Sequence, residues 1–390
     1  MSHVMNTYAR LPVTFSHGQG CRITDTEGKE YLDALSGIAV STLGHAHPRL
    51  VAAIAAQAGR MLHTSNLYGI REQEMLADKL AALSGLQEVF FGNSGAEANE
   101  AAIKLARFYG HKKEIETPTI IVMEKSFHGR TMATLSATGN RKVQAGFEPL
   151  VSGFVRVPYG DLEAIKAVAE HNHQVVAVML EIIQGEGGIH LADPAYYRGV
   201  RELCDAQGWL MICDEVQCGM GRTGKWFGYQ QAGVLPDIAT LAKGLGSGVP
   251  IGACLAGGKA AGLFGPGNHG STFGGNPLVC AAALTTIEVM EQDDLLANAA
   301  KVGALIRQLF GEALAGVEGL VDIRGHGLMI GIELDRPCGE LVGKALAAGL
   351  LINVTGDKII RLLPPLIFSD SDARELVERT APLIKEFLGA

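Results

Sequence analysis

The chain has 390 residues, of which 47% are hydrophobic and 19% charged, so it can form about two or three domains with a large buried core. Its formal net charge of −8 argues against a nucleic-acid-binding protein, which usually carries a basic patch. Because no run of about 18 apolar residues occurs and the first residues lack a secretory signal pattern, we expect neither a membrane span nor export.

Short apolar runs alternate with helical patterns through the first two thirds of the chain. Most runs are rich in β-branched or aromatic residues and are bounded by glycine, proline or a polar turn, which is typical of buried strands. They cover residues 86–92, 119–125, 175–183, 209–216, 237–243 and 252–258. Buried strands that alternate with helices predict an α/β fold with a mainly parallel central sheet flanked by helices.

The pattern changes near residue 277. A long helical pattern is followed by shorter strands within residues 321–335 and by a final helix over residues 372–388. We interpret this part as a smaller α+β domain formed by residues 277–390 together with residues 1–45. Residues 46–276 then form the large, ligand-binding domain.

Ligands of open α/β sheets bind at the carboxyl ends of the strands, so polar residues directly after the apolar runs are candidate site residues. In FGNSGAEANE (91–100), Ser94 and Glu97 have the spacing of a capping box that begins a helix. Gly95 lets the backbone approach a ligand closely, and the free N–H groups of a helix N-terminus favour an anion such as phosphate. The alternative is an ordinary capped helix.

Asp214 and Glu215 end the apolar run WLMICDEV (209–216). A carboxylate buried there needs a cation or a strong donor, and Asp214 would keep a ring nitrogen of a ligand protonated. The alternatives are a carboxylate that caps a loop or pairs with Arg222. A metal site with Cys213 and Cys218 lacks tetrahedral ligand spacing. The seven cysteines are scattered without a CxxC pair, so we expect reduced thiols in a cytoplasmic protein and no metal.

Lys243 is the charged residue between two nearly apolar runs, DIATLA and GLGSGVPIGACLAGG. It could lie on a surface turn with its ammonium group in water. A desolvated lysine amine, in contrast, is a nucleophile for a carbonyl group and a proton carrier. A phosphate site, a buried aspartate and a reactive lysine together indicate pyridoxal 5′-phosphate. Phe127 could stack on its ring, and Ser271 and Thr272 offer further donors.

Several long motifs in this order resemble those of the class III aminotransferases: NSGAEANE, FHGRT, EIIQGEGG, CDEVQCGMGRTG, TLAKGLGSGVPIGA and STFGGNP. The resemblance implies a fold type I pyridoxal-phosphate-dependent transferase that acts as a homodimer. Within the family the motifs are most similar to acetylornithine aminotransferases. These transfer the δ-amino group of N2-acetyl-L-ornithine to 2-oxoglutarate in arginine biosynthesis. The alternatives are succinylornithine, ornithine and 4-aminobutyrate aminotransferases, or a non-enzymatic pyridoxal-phosphate-binding protein, which would be expected to have lost Lys243 or Asp214.

The resemblance also implies roles for residues that bind the cofactor. Lys243 would be the Schiff-base lysine and Asp214 the partner of the pyridine nitrogen. Gly95 and Ala96 would bind the phosphate through their N–H groups, and Thr272 would reach it from the other subunit. The implied cofactor-binding set is Gly95, Ala96, Phe127, Asp214, Glu215, Val216, Gln217, Lys243 and Thr272.

Substrate recognition follows from the same resemblance. Arg130, assisted by Ser271, would hold the α-carboxylate of the amino donor. Arg361 would hold a carboxylate of 2-oxoglutarate, and Glu186 would neutralise Arg361 when the ω-amine substrate is bound. Ile38 stands near the point where ornithine δ-aminotransferases carry a tyrosine for a free α-amino group. An aliphatic side chain there favours an acylated substrate.

Overall fold

The computed structural model describes residues 3–389. The strands are β1 Phe15–Gln19, β2 Arg22–Asp25, β3 Glu30–Asp33, β4 Glu88–Gly92, β5 Thr119–Met123, β6 Phe154–Val157, β7 Val175–Glu181, β8 Ile183–Gln184, β9 His190–Leu191, β10 Leu210–Asp214, β11 Ile238–Leu241, β12 Gly252–Ala256, β13 Leu320–His326, β14 Met329–Leu334, β15 Leu350–Leu351, β16 Asn353–Thr355 and β17 Ile359–Leu362. The helices are α1 Ser36–Ala39, α2 Pro48–Ala58, α3 Arg71–Ser84, α4 Gly95–Lys112, α5 Met132–Ala137, α6 Arg141–Gln144, α7 Leu162–His171, α8 Gly185–Gly188, α9 Pro194–Gln207, α10 Gly228–Ala232, α11 Pro277–Gln292, α12 Leu295–Ala313, α13 Glu340–Ala347 and α14 Asp370–Leu388. Short 3₁₀ turns cover Lys243–Leu245 and Gly258–Ala260.

The central sheet has seven strands in the order β4-β12-β11-β10-β7-β5-β6. Strands β11, β10, β7, β5 and β6 pair in parallel, whereas β12 is antiparallel to both of its neighbours. All residues of β5, β7, β10 and β11 are buried, which explains why their sequences are apolar on both faces. The prediction of a mainly parallel α/β sheet is confirmed.

Two smaller four-stranded sheets lie outside the central sheet, in the orders β1-β2-β3-β15 and β13-β14-β17-β16. Strand β3 pairs in parallel with β15, so the N-terminal strands join a sheet completed by the C-terminal part of the chain. On this pairing we base the proposal of a large domain, residues 46–276, and a small domain, residues 1–45 with 277–390. Within residues 3–389, no helix is both long and apolar enough to cross a membrane.

The segment Ser36–Ala39 is a left-handed turn in which all four residues have φ between 46° and 67°. This conformation costs L-residues about 1–2 kcal/mol each, so surrounding contacts must hold it. Asp33 Oδ1 accepts the N–H of Ser36 at 2.7 Å, and Ser36 Oγ donates to the carbonyl of Leu363 at 2.6 Å. The turn leads directly to Val40, which lines the cavity described below.

Candidate active site

A cavity of about 460 Å³ opens at the carboxyl ends of the central strands. Its lining includes residues at or after the ends of five different strands: residues 93–96 after β4, residues 127–130 after β5, Glu181 at the end of β7 with Glu186 in α8, Asp214 at the end of β10 with Gln217 after it, and Lys243 after β11. Parallel strands end at the same edge of a sheet, which is why residues distant in sequence meet here. Of the thirteen residues predicted from the sequence, those lining the cavity are Gly95, Ala96, Phe127, Arg130, Glu186, Asp214, Val216, Gln217 and Lys243.

The N-terminus of helix α4 forms one wall of the cavity. Ser94 Oγ accepts the N–H of Glu97 at 3.2 Å, as the capping-box spacing predicted. The Glu97 carboxylate instead accepts from the backbone N–H and the side-chain amide of Asn93, one residue before the expected partner. The first amides of a helix have no partner within the helix, so those of Gly95 and Ala96 can bind an anion.

Lys243 begins the 3₁₀ turn after β11, in a left-handed backbone conformation with φ of 43°. Its side chain lines the cavity and is half-buried, so the alternative of an exposed surface turn does not hold. Burial lowers the pKa of the Lys243 amine, although the negative charges of Glu186 and Asp214 oppose this effect. Within residues 3–389 its amine makes no hydrogen bond, which leaves it available for a ligand.

Asp214 is 3% exposed and is held by a network of donors. Its Oδ2 accepts from Asn99 Nδ2 at 2.8 Å and from His128 Nδ1 at 2.7 Å, and its Oδ1 accepts the N–H of Val216 at 3.0 Å. The hydroxyl of Thr240 donates to Asn99 Oδ1 at 2.7 Å and thereby orients the amide. Burial opposes the protonated form of His128, but the adjacent Asp214 carboxylate outweighs it and raises the histidine pKa.

The alternative pairing of Asp214 with Arg222 does not occur. The buried Arg222 guanidinium donates instead to the carbonyl oxygens of Leu328, at 3.1 Å, and Pro364. These carbonyls belong to the segments after β13 and β17. Arg222 therefore connects the loop after β10 to the C-terminal sheet, rather than neutralising the cavity carboxylate.

The Glu215 side chain does not line the cavity, so a role of its carboxylate in cofactor binding has no support in this geometry. It points away from the cavity and accepts the N–H groups of Gly228 at 2.7 Å and Tyr229 at 2.9 Å, which begin helix α10. Burial raises the pKa of Glu215 to about 7. Cys218 Sγ donates to the same carboxylate at 3.3 Å. No group of three or more His, Cys, Asp or Glu side chains in residues 3–389 could hold a metal ion.

Arg361 lies on β17 directly behind the cavity lining and is fully buried. Its Nη1 donates to Glu186 Oε1 at 2.7 Å and to Gln217 Oε1 at 3.3 Å, and its Nε donates to Asn353 Oδ1 at 3.1 Å. Its Nη2 is buried without a hydrogen-bond partner among the residues the structure describes. Burial opposes ionisation of Glu186, but the Arg361 charge outweighs it and holds the carboxylate pKa below its usual range.

The side walls of the cavity are formed by Phe127, Arg130 and Val40. The Arg130 guanidinium lies 5.7 Å from the centre of the Phe127 ring. Ile38, which the sequence offered as a specificity residue, does not line the cavity and is partly buried against the core. The left-handed turn instead places Val40, two residues later, at the cavity surface.

Ser271 and Thr272 do not line the cavity of a single chain. Thr272 is exposed, and its predicted role in the other subunit stays a prediction. Ser271 Oγ accepts from Asn93 Nδ2 at 3.2 Å, so it contacts the cavity lining from behind.

Four residues around Asp214 received no role in the sequence analysis. They are Asn99, His128 and Thr240 of its hydrogen-bond network, and Glu181, its neighbour on β7. A signal for Asn99 was present, since it lies four residues after Gly95 and therefore on the same face of helix α4. His128 follows the buried strand β5, and Glu181 ends the buried strand β7. Only the packing of these segments shows which atoms their side chains contact.

Comparison with known proteins agrees with this geometry. Residues 4–384 match the family model described as aminotransferase class-III. The chain belongs to the class-III aminotransferases. An acetylornithine aminotransferase from Nitrosomonas europaea is 61% identical over 388 residues, which cover 100% of this chain and 99% of that protein.

Solved structures of class-III aminotransferases share the fold. The ornithine aminotransferase from Toxoplasma gondii superposes with a TM-score of 0.95 at 34% identity, covering 100% of this chain and 94% of the other, and its structure contains pyridoxal phosphate at the active site in partial occupancy. An N-acetylornithine aminotransferase from Stenotrophomonas maltophilia gives a TM-score of 0.84 at 35% identity, with 98% of both chains covered.

The cavity of this class-III aminotransferase fits pyridoxal 5′-phosphate, the cofactor of the family. The helix N-terminus offers amides for the phosphate. A Cβ atom on Gly95 would lie 2.7 Å from Val216 Cγ1, so the close approach of helix and loop requires glycine. Asp214 supplies a buried carboxylate, and the half-buried Lys243 supplies an amine that makes no hydrogen bond with residues 3–389. These groups match the phosphate, the ring nitrogen and the aldehyde of the cofactor.

Proposed function

We propose that this aminotransferase transfers the δ-amino group of N2-acetyl-L-ornithine to 2-oxoglutarate, giving N-acetyl-L-glutamate 5-semialdehyde and L-glutamate. The observation that carries the proposal is the buried Arg361 paired with the partly exposed Glu186 beside the cavity. With Glu186 in place the Arg361 charge is neutralised, and with Glu186 moved aside the charge is available to a substrate carboxylate. One site can therefore accept two substrates that differ in charge. The name of the relative at 61% identity supports the acetylated substrate. We place the reaction in arginine biosynthesis and propose that the enzyme acts in the cytoplasm.

The cofactor would be held by residues of the cavity lining. We assign its phosphate to the N–H groups of Gly95 and Ala96 and its ring face to Phe127. Asp214, fixed by Asn99 and His128, would keep the ring nitrogen protonated, because the buried carboxylate needs a cationic partner there. Val216 and Gln217 complete this part of the lining. Pyridoxal phosphate, when bound, supplies an electron sink for the carbon next to the transferred nitrogen.

Lys243 would hold the cofactor covalently and then act as the proton carrier. Its lowered pKa keeps a larger fraction of the amine neutral, which both nucleophilic attack and proton removal require. With the substrate amine bound in its place, Lys243 Nζ would be positioned to accept a proton from the substrate carbon and to return it. Because the amine makes no hydrogen bond within the described chain, it is free to move between these positions.

Recognition of two substrates would rest on Arg130, Arg361 and Glu186. Arg130 binds the α-carboxylate of the amino donor, and Ser271 assists through Asn93. During this half-reaction Glu186 neutralises Arg361. 2-Oxoglutarate brings a second carboxylate, which replaces Glu186 and uses the guanidinium fork, including the unpartnered Nη2.

We also propose that the enzyme is a homodimer in which Thr272 completes the phosphate site of the other subunit. Phe273, Leu67 and Tyr68 are 59%, 86% and 68% exposed. They belong to one surface region, because Asn66 Nδ2 donates to the carbonyls of Ser271 and Gly274, each at 3.0 Å. Exposed apolar side chains that cluster in this way are typical of an interface.

The substrate is tested by a single half-reaction without a keto acid. The purified enzyme, loaded with cofactor, is mixed separately with N-acetylornithine, succinylornithine, ornithine and 4-aminobutyrate, and the loss of the cofactor absorbance is followed. We expect the fastest loss with N-acetylornithine. A faster reaction with one of the other amines would overturn the substrate and leave the family and the cofactor unchanged. A Lys243→Ala enzyme with full activity would overturn the mechanism.

A further inference from the structure

Glu181 joins two loops of the cavity through its carboxylate. It is the last residue of β7, is 5% exposed and stands beside Asp214 of β10 in the parallel register. Its Oε1 accepts the N–H of Phe127 at 2.8 Å, and its Oε2 accepts the N–H of Gly185 at 2.9 Å. Each oxygen therefore holds a different segment. The first is the loop that follows β5; the second, residues 182–188 with β8 and α8, we call the loop that follows β7.

The same two loops are joined by further contacts. Gln184 Nε2 donates to the carbonyl of Glu124 at 2.8 Å. A Cβ atom on Gly187 would lie only 2.8 Å from the carbonyl oxygen of Lys125, so the two backbones approach as closely as glycine permits. The first loop carries Phe127, and the residue after Gly185 in the second loop is Glu186.

We propose that Glu181 is a positioning residue that fixes Phe127 relative to Glu186 and thereby sets the balance between the two half-reactions. The kinetic part of this inference rests on the proposed function. Both backbone groups are donors, so both side-chain atoms facing them must be acceptors. Only a carboxylate meets this requirement, because a glutamine would direct its NH₂ group at one of the two N–H groups. An aspartate is one methylene shorter and cannot reach both loops.

Glu215 provides a matched control within the same chain. It follows directly after strand β10, is 1% exposed, and accepts two backbone N–H groups at 2.7 and 2.9 Å. Its partners, Gly228 and Tyr229, belong to helix α10, and its side chain does not line the cavity. Glu181→Gln and Glu215→Gln thus make the same chemical change in the same degree of burial. Only the first should affect the relation between Phe127 and Glu186.

The first test measures the loops directly by hydrogen–deuterium exchange of the holoenzymes. In Glu181→Gln we expect faster exchange in peptides covering both 124–130 and 184–188. In Glu215→Gln we expect it only around 226–232. Unchanged exchange in either of the two loops of Glu181→Gln would overturn the proposal, because the carboxylate would then not join them. This readout does not depend on the identity of the substrate.

The second test compares the two half-reactions, each normalised to bound cofactor. Mispositioning of Glu186 leaves Arg361 less well neutralised, which disfavours the amine donor more than 2-oxoglutarate. For Glu181→Gln we expect the ratio of the two specificity constants, donor over acceptor, to fall about fivefold, the size of one hydrogen bond. Glu215→Gln should leave the ratio unchanged, and an unchanged ratio in Glu181→Gln would overturn the proposal.

A second variant covers the case in which Glu181→Gln does not fold. Gln184→Ala removes the other side-chain bond between the loops, and its former partner, the Glu124 carbonyl, lies on an exposed residue. For Gln184→Ala we expect the ratio of the two specificity constants to fall as in Glu181→Gln, but by a smaller factor. An unchanged ratio would overturn the proposal that contacts between the two loops set this balance. If the wild-type enzyme is inert towards N-acetylornithine, the proposed function fails, whereas the exchange experiment still decides the role of Glu181.

Discussion

The Arg361 guanidinium is completely buried and donates to the Glu186 carboxylate over 2.7 Å, whereas the Glu186 side chain is 37% exposed. The two side chains also differ in the rigidity of the elements that carry them. Arg361 lies in the middle of a sheet and is held further by Asn353, whereas Glu186 lies in the four-residue helix α8, which ends at Gly188. We therefore propose that Glu186, rather than Arg361, moves when a substrate carboxylate competes for the guanidinium.

Glu186→Gln should separate the two half-reactions. A glutamine cannot neutralise Arg361, so the uncompensated charge disfavours the amine donor, and the KM for the donor should rise about tenfold or more. The KM for 2-oxoglutarate should fall, because its carboxylate no longer competes with that of Glu186. Steady-state kinetics with each substrate varied would check this.

The control for this experiment is Glu375→Gln. Glu375 also forms an ion pair with an arginine, with its Oε1 2.8 Å from Arg22 Nη1, but lies outside the cavity lining. It should leave both KM values unchanged. Equal KM changes for the two substrates in Glu186→Gln would contradict a gating role.

Lys243 should react as an amine with a lowered pKa. Burial disfavours its ammonium form, so the neutral, nucleophilic amine should appear below the ordinary lysine value of about 10.4. Trace acetylation of the cofactor-free enzyme across a pH series, read by mass spectrometry, would give the midpoint for Lys243. The exposed Lys142 serves as a reference in the same sample. Because Glu186 raises the lysine pKa, Glu186→Gln should move the midpoint lower still, and a midpoint at or above the reference would contradict the site.

Asn99→Ala should weaken cofactor binding. It removes a donor to the Asp214 carboxylate, a bond to a charged group that contributes about 1.5–3 kcal/mol. We expect the dissociation constant of pyridoxal phosphate, measured by absorbance titration, to rise about tenfold or more. Thr240→Val removes only the group that orients the Asn99 amide and should have a smaller effect. A larger rise of the dissociation constant in Thr240→Val than in Asn99→Ala would contradict the inference that Thr240 acts through Asn99.

Glu215 should make stability depend on pH. Its folded-state pKa of about 7 lies above the unfolded value of about 4.3, so the native state binds the extra proton between these values. Protonation of Glu215 therefore contributes to the free energy of unfolding, with a size on the order of 3 kcal/mol. This contribution is fully present below about pH 4.3 and is lost as the pH rises through about 7. The glutamine of Glu215→Gln has no proton to lose in this range.

The measurement is the difference in free energy of unfolding between wild type and Glu215→Gln, followed by chemical denaturation from about pH 5 to about pH 8. The advantage of the wild type should decrease as the pH rises. Parallel pH profiles of the two proteins would show that the Glu215 carboxylate does not titrate in this range.

Residues that directly follow buried strands could be recognised from the sequence. Asp214 and Lys243 end or follow apolar runs, and the carboxyl ends of parallel strands define one edge of the sheet, so their convergence was predictable. Glu215 shows the limit of this reasoning. It stands next to Asp214, yet side chains alternate along a strand, and only the packing of helix α10 reveals that its carboxylate serves the N–H groups there.

The role of Arg361 depended on a resemblance, because its spacing from the other site residues carries no signal. It lies 175 residues from Glu186, on a strand of another sheet, and the contact exists only because the sheets pack together. The left-handed turn at Ser36–Ala39 was also not predictable, since its three residues other than glycine disfavour this conformation. Contacts from Asp33 and Leu363 impose it.

Local patterns were enough to predict the alternation of strands and helices, the parallel sheet and the residues at its carboxyl edge, because apolar periodicity can be recognised within each segment. Which polar atoms meet depends on the packing of distant segments: Glu181 with two loops, Asn99 and His128 with Asp214, and Arg361 with Glu186. Such contacts form only when segments far apart in the chain are placed to within about a few tenths of an ångström of each other's required positions. That placement follows from how the whole core packs, which no local pattern encodes.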